Sequence, residues 1–214
     1  MDKAILNGKL FEGVSEAEIA ALLDEAGAME KTVPRGGYIY NAGDKPADVA
    51  LMLRGEAFVV SYDYWGNRTL HAKVCAGDLF GAAYGVAEEL PVSVQTEGGC
   101  TALMIPYEKL VVPPENAGRG HIRVMSNIIT LLAKKNISQL EKMGHITKRT
   151  TREKTLAYLS AESAKSGSRI FQIPFDRRQL ADYLAVDRAA LSRVLSELRS
   201  DGIIDFSKNK FKIK

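Results

Sequence analysis

Residues 176–214, DRRQLADYLAVDRAALSRVLSELRSDGIIDFSKNKFKIK, leave little choice of fold. Asp176 with Gln179 three residues on is a capping-box-like pair, and it starts a short helix, RRQLADYLA. Ala185-Val186 makes a tight turn. Asp187 caps a second helix, and Gly202 ends it. In that second helix Leu191, Val194, Leu195 and Leu198 recur at helical spacing and face a core. IIDFSKNKFKIK then alternates apolar and basic residues around Ser207-Lys208-Asn209, the pattern of a β-hairpin. Two helices joined by a turn of three to four residues and followed by a hairpin form a winged helix-turn-helix. Upstream, TREKTLAYLSAESAK reads as a helix closed by Gly167, and residues 169–174 as a short strand, so the unit spans 148–214.

The other face of the second helix is unusual for a surface. It holds Ala189, Ser192, Arg193 and Ser196, which are short apart from one projecting Arg. Such a face can be pressed closely against something flat and negatively charged. Charge is distributed to match: residues 148–214 carry 15 Lys+Arg and 8 Asp+Glu, a net +7, while residues 1–147 carry 14 and 18, a net −4. A basic C-terminal third beside an acidic remainder points to a polyanion, nucleic acid first. A basic surface kept for solubility is the alternative. In a major groove Arg193 can donate two parallel hydrogen bonds to guanine, and Ser192 can reach a base edge or a phosphate. Arg188 lies toward the flank, and Arg177 and Arg178 open the preceding helix, so these suit the phosphate backbone. Lys208, Lys210 and Lys212 in the hairpin add salt-dependent affinity. The bland role for Arg193 is a surface ion pair with Glu197 four residues on.

Before this unit the texture is different. The first thirty residues have helical spacing, with Ser15 and Glu18 forming a capping box and Ile19, Leu22 and Leu23 a stripe. From Thr32 short β-rich runs (YIY, VALML, EAFVVSY, TLHAKV, ALMI) are broken by glycine-bearing turns, with WGN at 65–67 a hairpin turn. That punctuation predicts a compact antiparallel barrel or sandwich. Pro113-Pro114 ends it. A long helix follows from about Asn116 to Gly144, with Ile122, Met125, Ile129, Leu132, Leu140 and Met143 on one stripe and Asn136 where the seven-residue rhythm wants another apolar side chain. A spacing near 3.5 with one polar interruption suits a two-stranded dimer helix whose Asn sets register. Packing on its own domain is the other reading of the same stripe.

Composition narrows the classes. At 214 residues, 46% hydrophobic and 26% charged, the chain has ample material for two modest domains. No run of about 18 apolar residues exists, so no membrane partner is expected. The start, MDKAILNGKLFEG, lacks the apolar run and cleavage site of an export signal. Two cysteines, Cys75 and Cys100, make no secreted-type disulfide framework, and a reducing cytoplasm is the expected setting. The three histidines, His71, His121 and His145, are scattered, and no hydrolase, zincin, phosphate-loop or C-x-x-C motif occurs, so no enzyme is expected. A ligand-binding module whose winged helix contacts protein is a rival class.

The segments GDLFG at 77–81, REKTLAYL at 152–159 and DRRQLADYLAVDRAALSRVLSELRSDGIID at 176–205 resemble the CRP/FNR superfamily of bacterial transcription regulators, REKTLAYL its FNR-like branch. The likeness runs nearly the whole length. It implies an α+β fold with three parts. These are a cyclic-nucleotide-binding-like β-roll (double-stranded β-helix) at 1–115, a long dimerisation helix at 116–147 and a winged helix-turn-helix at 148–214. It also implies a homodimer on a palindromic operator in double-stranded DNA, RNA polymerase as a further partner, and an effector in the β-roll. Many relatives carry Glu at the place of Ala189, where it reads cytosine. Ala can only touch a thymine methyl, so a shifted half-site is expected.

The resemblance also bears on cofactors. Its cyclic-nucleotide binders hold the ribose with Glu and the phosphate with Arg. Here Ala82 stands at the first position and Leu90 or Pro91 at the second, so cAMP has no charge-assisted anchor. The pocket wall would be Ala82, Ala83, Tyr84, Val92 and Ser93, with Gln139 and Leu140 from the long helix. That set suits an uncharged or aromatic ligand, or simply fills the roll. With no cysteine in residues 1–74, a Cys-ligated iron–sulfur cluster is excluded. His71 and Cys75, four apart on one face of a strand, keep a haem- or redox-responsive regulator as an alternative.

Overall fold

The computed structural model describes residues 2–6, 8–45, 47–84, 87–112 and 117–214, with Lys3 and Tyr84 by backbone alone. Pro113, Pro114 and Asn116, where the long-helix segment was expected to begin, lie outside them. Contacts divide the chain into two compact units, residues 1–61 with 71–135, and residues 62–70 with 136–214.

In the first unit the expected N-terminal helix is shorter and broken. α1 (Lys3–Leu6) and a 3-10 turn at Lys9–Phe11 precede α2 (Glu16–Ala26), and β1 (Met29–Val33) starts three residues before Thr32. α2 begins where the capping box requires. Ser15 Oγ accepts from the Glu18 amide at 3.4 Å, and the Glu18 carboxylate accepts from the Ser15 amide at 3.0 Å.

The strands follow as β2 (Tyr38–Tyr40), β3 (Asp48–Tyr62), β4 (Arg68–Cys75), β5 (Leu79–Phe80), β6 (Ser93–Gln95) and β7 (Cys100–Pro106), before the short α3 (Tyr107–Val111). They form one curled sheet in the order β1-β7-β3-β6-β2, with β4 and β5 also on β3. The 15-residue β3 is its spine. Its side chains alternate between two cores. Val49, Leu51 and Leu53 join Phe11, Ile19, Ile105 and Leu110, while Ala50 and Met52 join Ile39, Phe80, Val94 and Ala102. Period-two alternation with both faces buried is what a strand enclosed within a roll requires. β3 changes partner from β7 to β6 past a register shift between Met52 and Arg54. There Gly55 has φ +81, and a Cβ on it would run into the Gly99 carbonyl. Only glycine fits that crossing.

α4 (Arg119–Ile146) is 28 residues long. It starts within a turn of the expected point and runs two residues past Gly144. Val124 and Ile128 seal the first core. At the helix's other end, in the second unit, α5 (Thr151–Ser166) opens on a Thr150/Glu153 capping box and closes on Gly167 at φ +63. Then come β8 (Ile170–Gln172), α6 (Arg177–Leu184), α7 (Arg188–Ser200), β9 (Ile204–Ser207) and β10 (Lys210–Ile213). The wing is larger than the expected hairpin: β8 pairs with β10, giving the order β8-β10-β9. Residues 62–70 belong to this unit. They form the tip of the β3–β4 hairpin, turned by the Asp63 carboxylate, which accepts from the amides of Trp65 and Asn67 at 3.0 and 2.8 Å.

Candidate nucleic-acid interface

The helix pair is fixed by local chemistry that the sequence spells out. Asp176 Oδ1 accepts from the Gln179 amide at 2.8 Å, and Gln179 Oε1 accepts from the Asp176 amide at 3.0 Å. α6 ends on Ala185, whose φ of 50 puts a non-glycine residue in the left-handed region. Asp187 then caps α7 through the Ala190 amide at 2.8 Å.

Leu191, Leu195 and Leu198 are fully buried and Val194 half-buried, so the leucine side seats α7 as its periodicity demands. Arg188, Ala189, Ser192, Arg193 and Ser196 are all exposed. Ser192 Oγ donates to the Arg188 carbonyl and Ser196 Oγ to the Ser192 carbonyl, both at 3.0 Å. These back-bonds hold the hydroxyls low on the helix and keep their lone pairs outward. Arg193 is exposed, and among the described residues it makes no ion pair with Glu197.

The flanking arginines divide. Arg178 is exposed at the start of α6. Arg177, expected on phosphate, is instead engaged with the wing. Its guanidinium lies 4.9 Å from the Phe206 ring centroid and donates to the Lys208 carbonyl at 3.3 Å. Arg199 covers the same ring at 3.8 Å and pairs with Asp205 at 3.0 Å. Two guanidiniums on one aromatic ring brace the wing against both helices. Burial, then the charge of Arg199, push the Arg177 pKa down. Lys208, at the hairpin tip with φ +53, and Lys210 and Lys212 are exposed.

The expected effector wall is only partly brought together. In the first unit Ala82, Val92 and Ser93 are buried and Ala83 is exposed, while the Tyr84 side chain lies outside the described residues. Ser93 Oγ is spent on the Ala42 amide at 2.9 Å. Leu90 is buried and exchanges 2.9 Å backbone bonds with Gly43 and Asp44, whereas Pro91 is exposed. Lys135 Nζ donates to the Leu79 carbonyl at 2.7 Å, tying α4 to GDLFG. Gln139 and Leu140 are exposed on the part of α4 that belongs to the second unit. A cleft of about 270 Å³ lies elsewhere, lined by Leu22, Glu25, Ala26, Glu108, Lys109, Val112 and His121. His71 Nε2 sits 2.8 Å from Ser61 Oγ, and Cys75 is exposed. Among the described residues no three His, Cys, Asp or Glu side chains cluster to hold a metal ion, and no helix is long and apolar enough to cross a membrane.

The α4 stripe is bare. Ile122, Ile129, Leu140 and Met143 are each more than half exposed, as is Ile137 beside them, with Asn136 also exposed and Met125 and Leu132 half-buried. Large aliphatics exposed together along about six turns of a helix are the kind of surface that marks an interaction site.

Two residues outside the expected set hold the helix pair. Lys154 Nζ donates to the carbonyls of Leu184 and Ala185 at 3.4 and 3.3 Å. Arg152 pairs with Asp201 at 2.7 Å, just past the end of α7. Both lie in REKTLAYL, and a basic residue that lacks a partner on its own helix was the only signal for them.

Comparison with known proteins places these features. A family model described as Crp-like helix-turn-helix domain matches residues 153–214, and one described as cyclic nucleotide-binding domain matches residues 30–111. The transcriptional activator protein Anr of Pseudomonas aeruginosa is 21% identical over 187 residues, 85% of this chain and 75% of that protein. The transcriptional activator protein FnrA of Stutzerimonas stutzeri is 22% identical over 192 residues, 86% of this chain and 75% of that protein. A solved structure of the c-di-GMP-responsive global regulator CLP of Xanthomonas campestris superposes with a TM-score of 0.72 at 16% identity, covering 93% of this chain and 99% of that one. At that identity the structural likeness speaks for the fold alone.

Proposed function

The chain belongs to the CRP/FNR family of transcription regulators, with a cyclic nucleotide-binding domain and a Crp-like helix-turn-helix, and from that premise we propose how it works. It is a cytoplasmic homodimer that binds a palindromic operator through α7 of each subunit. It acts by binding, not catalysis. The observation that carries this reading is the α7 face: Arg193 exposed, short side chains around it, and three fully buried leucines behind it.

In this reading Arg193 donates to guanine O6 and N7, Ala189 touches a thymine methyl, and Ser192 and Ser196 serve as short acceptors that let the helix enter the groove. Arg178, Arg188, Lys208 and Lys210 take phosphates, with Lys212 behind them. Arg177 contributes by bracing the wing. The parts are a sensor at 1–115, a dimer helix at 116–147 and a reader at 148–214. The Ile122-to-Met143 stripe pairs with its copy, because that covers the bare aliphatics and sets two readers about 34 Å apart along one face of DNA. RNA polymerase is the further partner of such an assembly.

The effector is not a cyclic nucleotide held in the usual way. Ala82 has no carboxylate for a ribose, and neither Leu90, which is buried, nor Pro91, which is exposed, offers a guanidinium to a phosphate. Haem on His71 and Cys75 together is disfavoured by length. Four residues of strand at ~3.3 Å each separate them by roughly 13 Å, too far for one iron. The buried positions Ala82, Val92 and Ser93 suit a small uncharged ligand.

The test is selection of duplexes from random DNA, followed by titration of the selected site at several salt concentrations beside a measurement of mass in solution. A dimer that enriches a palindrome and loses affinity steeply with salt is expected. A strict monomer, or a dimer with no sequence enrichment, overturns the proposal.

A further inference from the structure

Within the second unit, α6 is gripped by residues far away in sequence. Arg68, the first residue of β4, pairs with Asp182 of α6 at 3.1 Å, and both side chains are largely buried, 13% and 19% exposed. Two residues on, the Leu70 carbonyl accepts from Lys142 Nζ of α4 at 2.5 Å. The same ammonium lies 4.6 Å from the ring centroid of Tyr183, the neighbour of Asp182. Lys142 is only 5% exposed. Three elements thus converge on two adjacent residues of α6: the hairpin stem, the long helix, and α5 through Tyr158, whose ring packs 5.5 Å from Tyr183.

A charged cluster this buried is a costly way to hold a helix, since apolar side chains of similar volume would stabilise as much or more. What an ion pair and a lysine–carbonyl bond add is a fixed direction. The ion pair holds Asp182, and the ammonium anchored on the Leu70 carbonyl holds the ring of Tyr183, so α6 is gripped at two adjacent side chains. α7 follows α6 after a turn of three residues, so it is held through α6.

We propose that Arg68, Asp182 and Lys142 form a latch that holds α6 on the stem of the 62–70 hairpin and thereby pre-orients the recognition helix for DNA. The role rests on the DNA-binding reading above. It is a positioning role: none of the three side chains belongs to the exposed face of α7. A head held in the binding orientation loses less freedom on docking, so specific affinity rises with the fraction of latched molecules.

The experiment uses the full chain and two independent readouts. Hydrogen–deuterium exchange is followed in the amides of residues 62–70 and 177–184, and affinity for the selected duplex is measured by fluorescence anisotropy. Arg68→Ala, Asp182→Asn and Lys142→Met are compared with the charge-exchanged double variant Arg68→Asp/Asp182→Arg. Each single change should speed exchange in both segments. It should also weaken specific binding about tenfold, the loss that follows when the competent orientation falls to about a tenth of the population. The exchanged pair should recover most of both.

Unchanged exchange in the single variants overturns the latch. Faster exchange with unchanged or tighter DNA binding overturns the pre-orienting role. Should Arg68→Ala fail to fold, the near-isosteric Asp182→Asn decides alone. Failure of the DNA-binding reading looks different: wild type and Arg193→Ala would both bind duplexes weakly and alike, while exchange would still report whether the latch exists.

Discussion

Lys154 donates its ammonium protons to the carbonyl of Ala185, the residue in left-handed conformation that turns the chain from α6 into α7. A cation at a helix C-terminus answers the carbonyls that the helix leaves without partners. Lys154→Met should therefore destabilise the C-terminal unit by about 1 kcal/mol, read as a lowered midpoint in thermal unfolding. Lys154→Arg should restore most of it. Ala185→Gly should act in the opposite sense, gaining up to about 1 kcal/mol because glycine carries no Cβ penalty at positive φ. A neutral Lys154→Met would mean that the turn holds itself.

Arg193→Ala should cost about 1–3 kcal/mol per half-site and relax the preference at one base pair without changing dimer mass. Arg193→Lys should keep part of the affinity and lose part of the discrimination, since an ammonium cannot match a guanidinium's two parallel donors. Binding-site selection repeated with each variant reads both. An unchanged preference in the alanine variant would remove Arg193 from base recognition.

The salt slope separates the wing from α7. Removing Lys208 or Lys210 should weaken binding to specific and unrelated duplexes alike. Each lost phosphate contact should lower the slope of log affinity against log salt by about 0.9. Arg193→Ala should leave that slope nearly unchanged while lowering specific affinity. If the lysine variants leave the slope untouched, the wing does not reach the backbone.

Most of the α7 interface was legible because it obeys short-range rules. The Asp176–Gln179 and Asp187 caps and the leucine spacing are all written within four residues of chain, and each appears in the structure. So does the Ser15–Glu18 box. What escaped is long-range. Nothing near Phe206 in sequence says that Arg177 and Arg199 will share its ring. Ile170 and Phe171 look like a strand but do not name Lys212 and Phe211 of β10 as their partners. Lys142 is the sharpest case. On a helical wheel it is one more solvated lysine, and only its reach to Leu70, 72 residues back, explains why it is buried. The effector region is poorly legible for a different reason. Ala82, Val92 and Ser93 are small side chains that pack equally well around a ligand or against one another.

Ile129 should behave as a hinge point for assembly. It is 68% exposed on the Ile122-to-Met143 stripe. Replacing it with Glu would place a carboxylate in the proposed seam opposite its own copy, where like charges are destabilising. Ile129→Glu should shift sedimentation from dimer to monomer and abolish operator binding, with the circular dichroism of the subunit intact. An unshifted dimer would move the interface off this stripe.

Lys142 gives the second unit a pH dependence of the same sign as ordinary acid unfolding but displaced to alkaline pH. Burial pushes its pKa from 10.5 down to about 8. The folded state therefore disfavours the proton that the unfolded chain keeps up to about 10.4. Below pH 8 both states are protonated and the folded state carries the whole cost of the buried charge. Between about pH 8 and 10.4 the unfolded chain binds more protons than the folded one, so this residue's contribution to stability rises with pH, and above that window it is constant. Tyr183 beneath it, whose pKa burial, then Glu162 and Glu141, raise to about 12, is present in both proteins, so its own effect on stability from about pH 10 upward cancels in the comparison. The measurement is chemical denaturation at pH 7, 8, 9 and 10 for wild type and Lys142→Met. The variant has no proton to lose, so wild type should gain stability relative to it across the window and run parallel below it. Parallel curves throughout would mean that the ammonium reaches water in the folded protein.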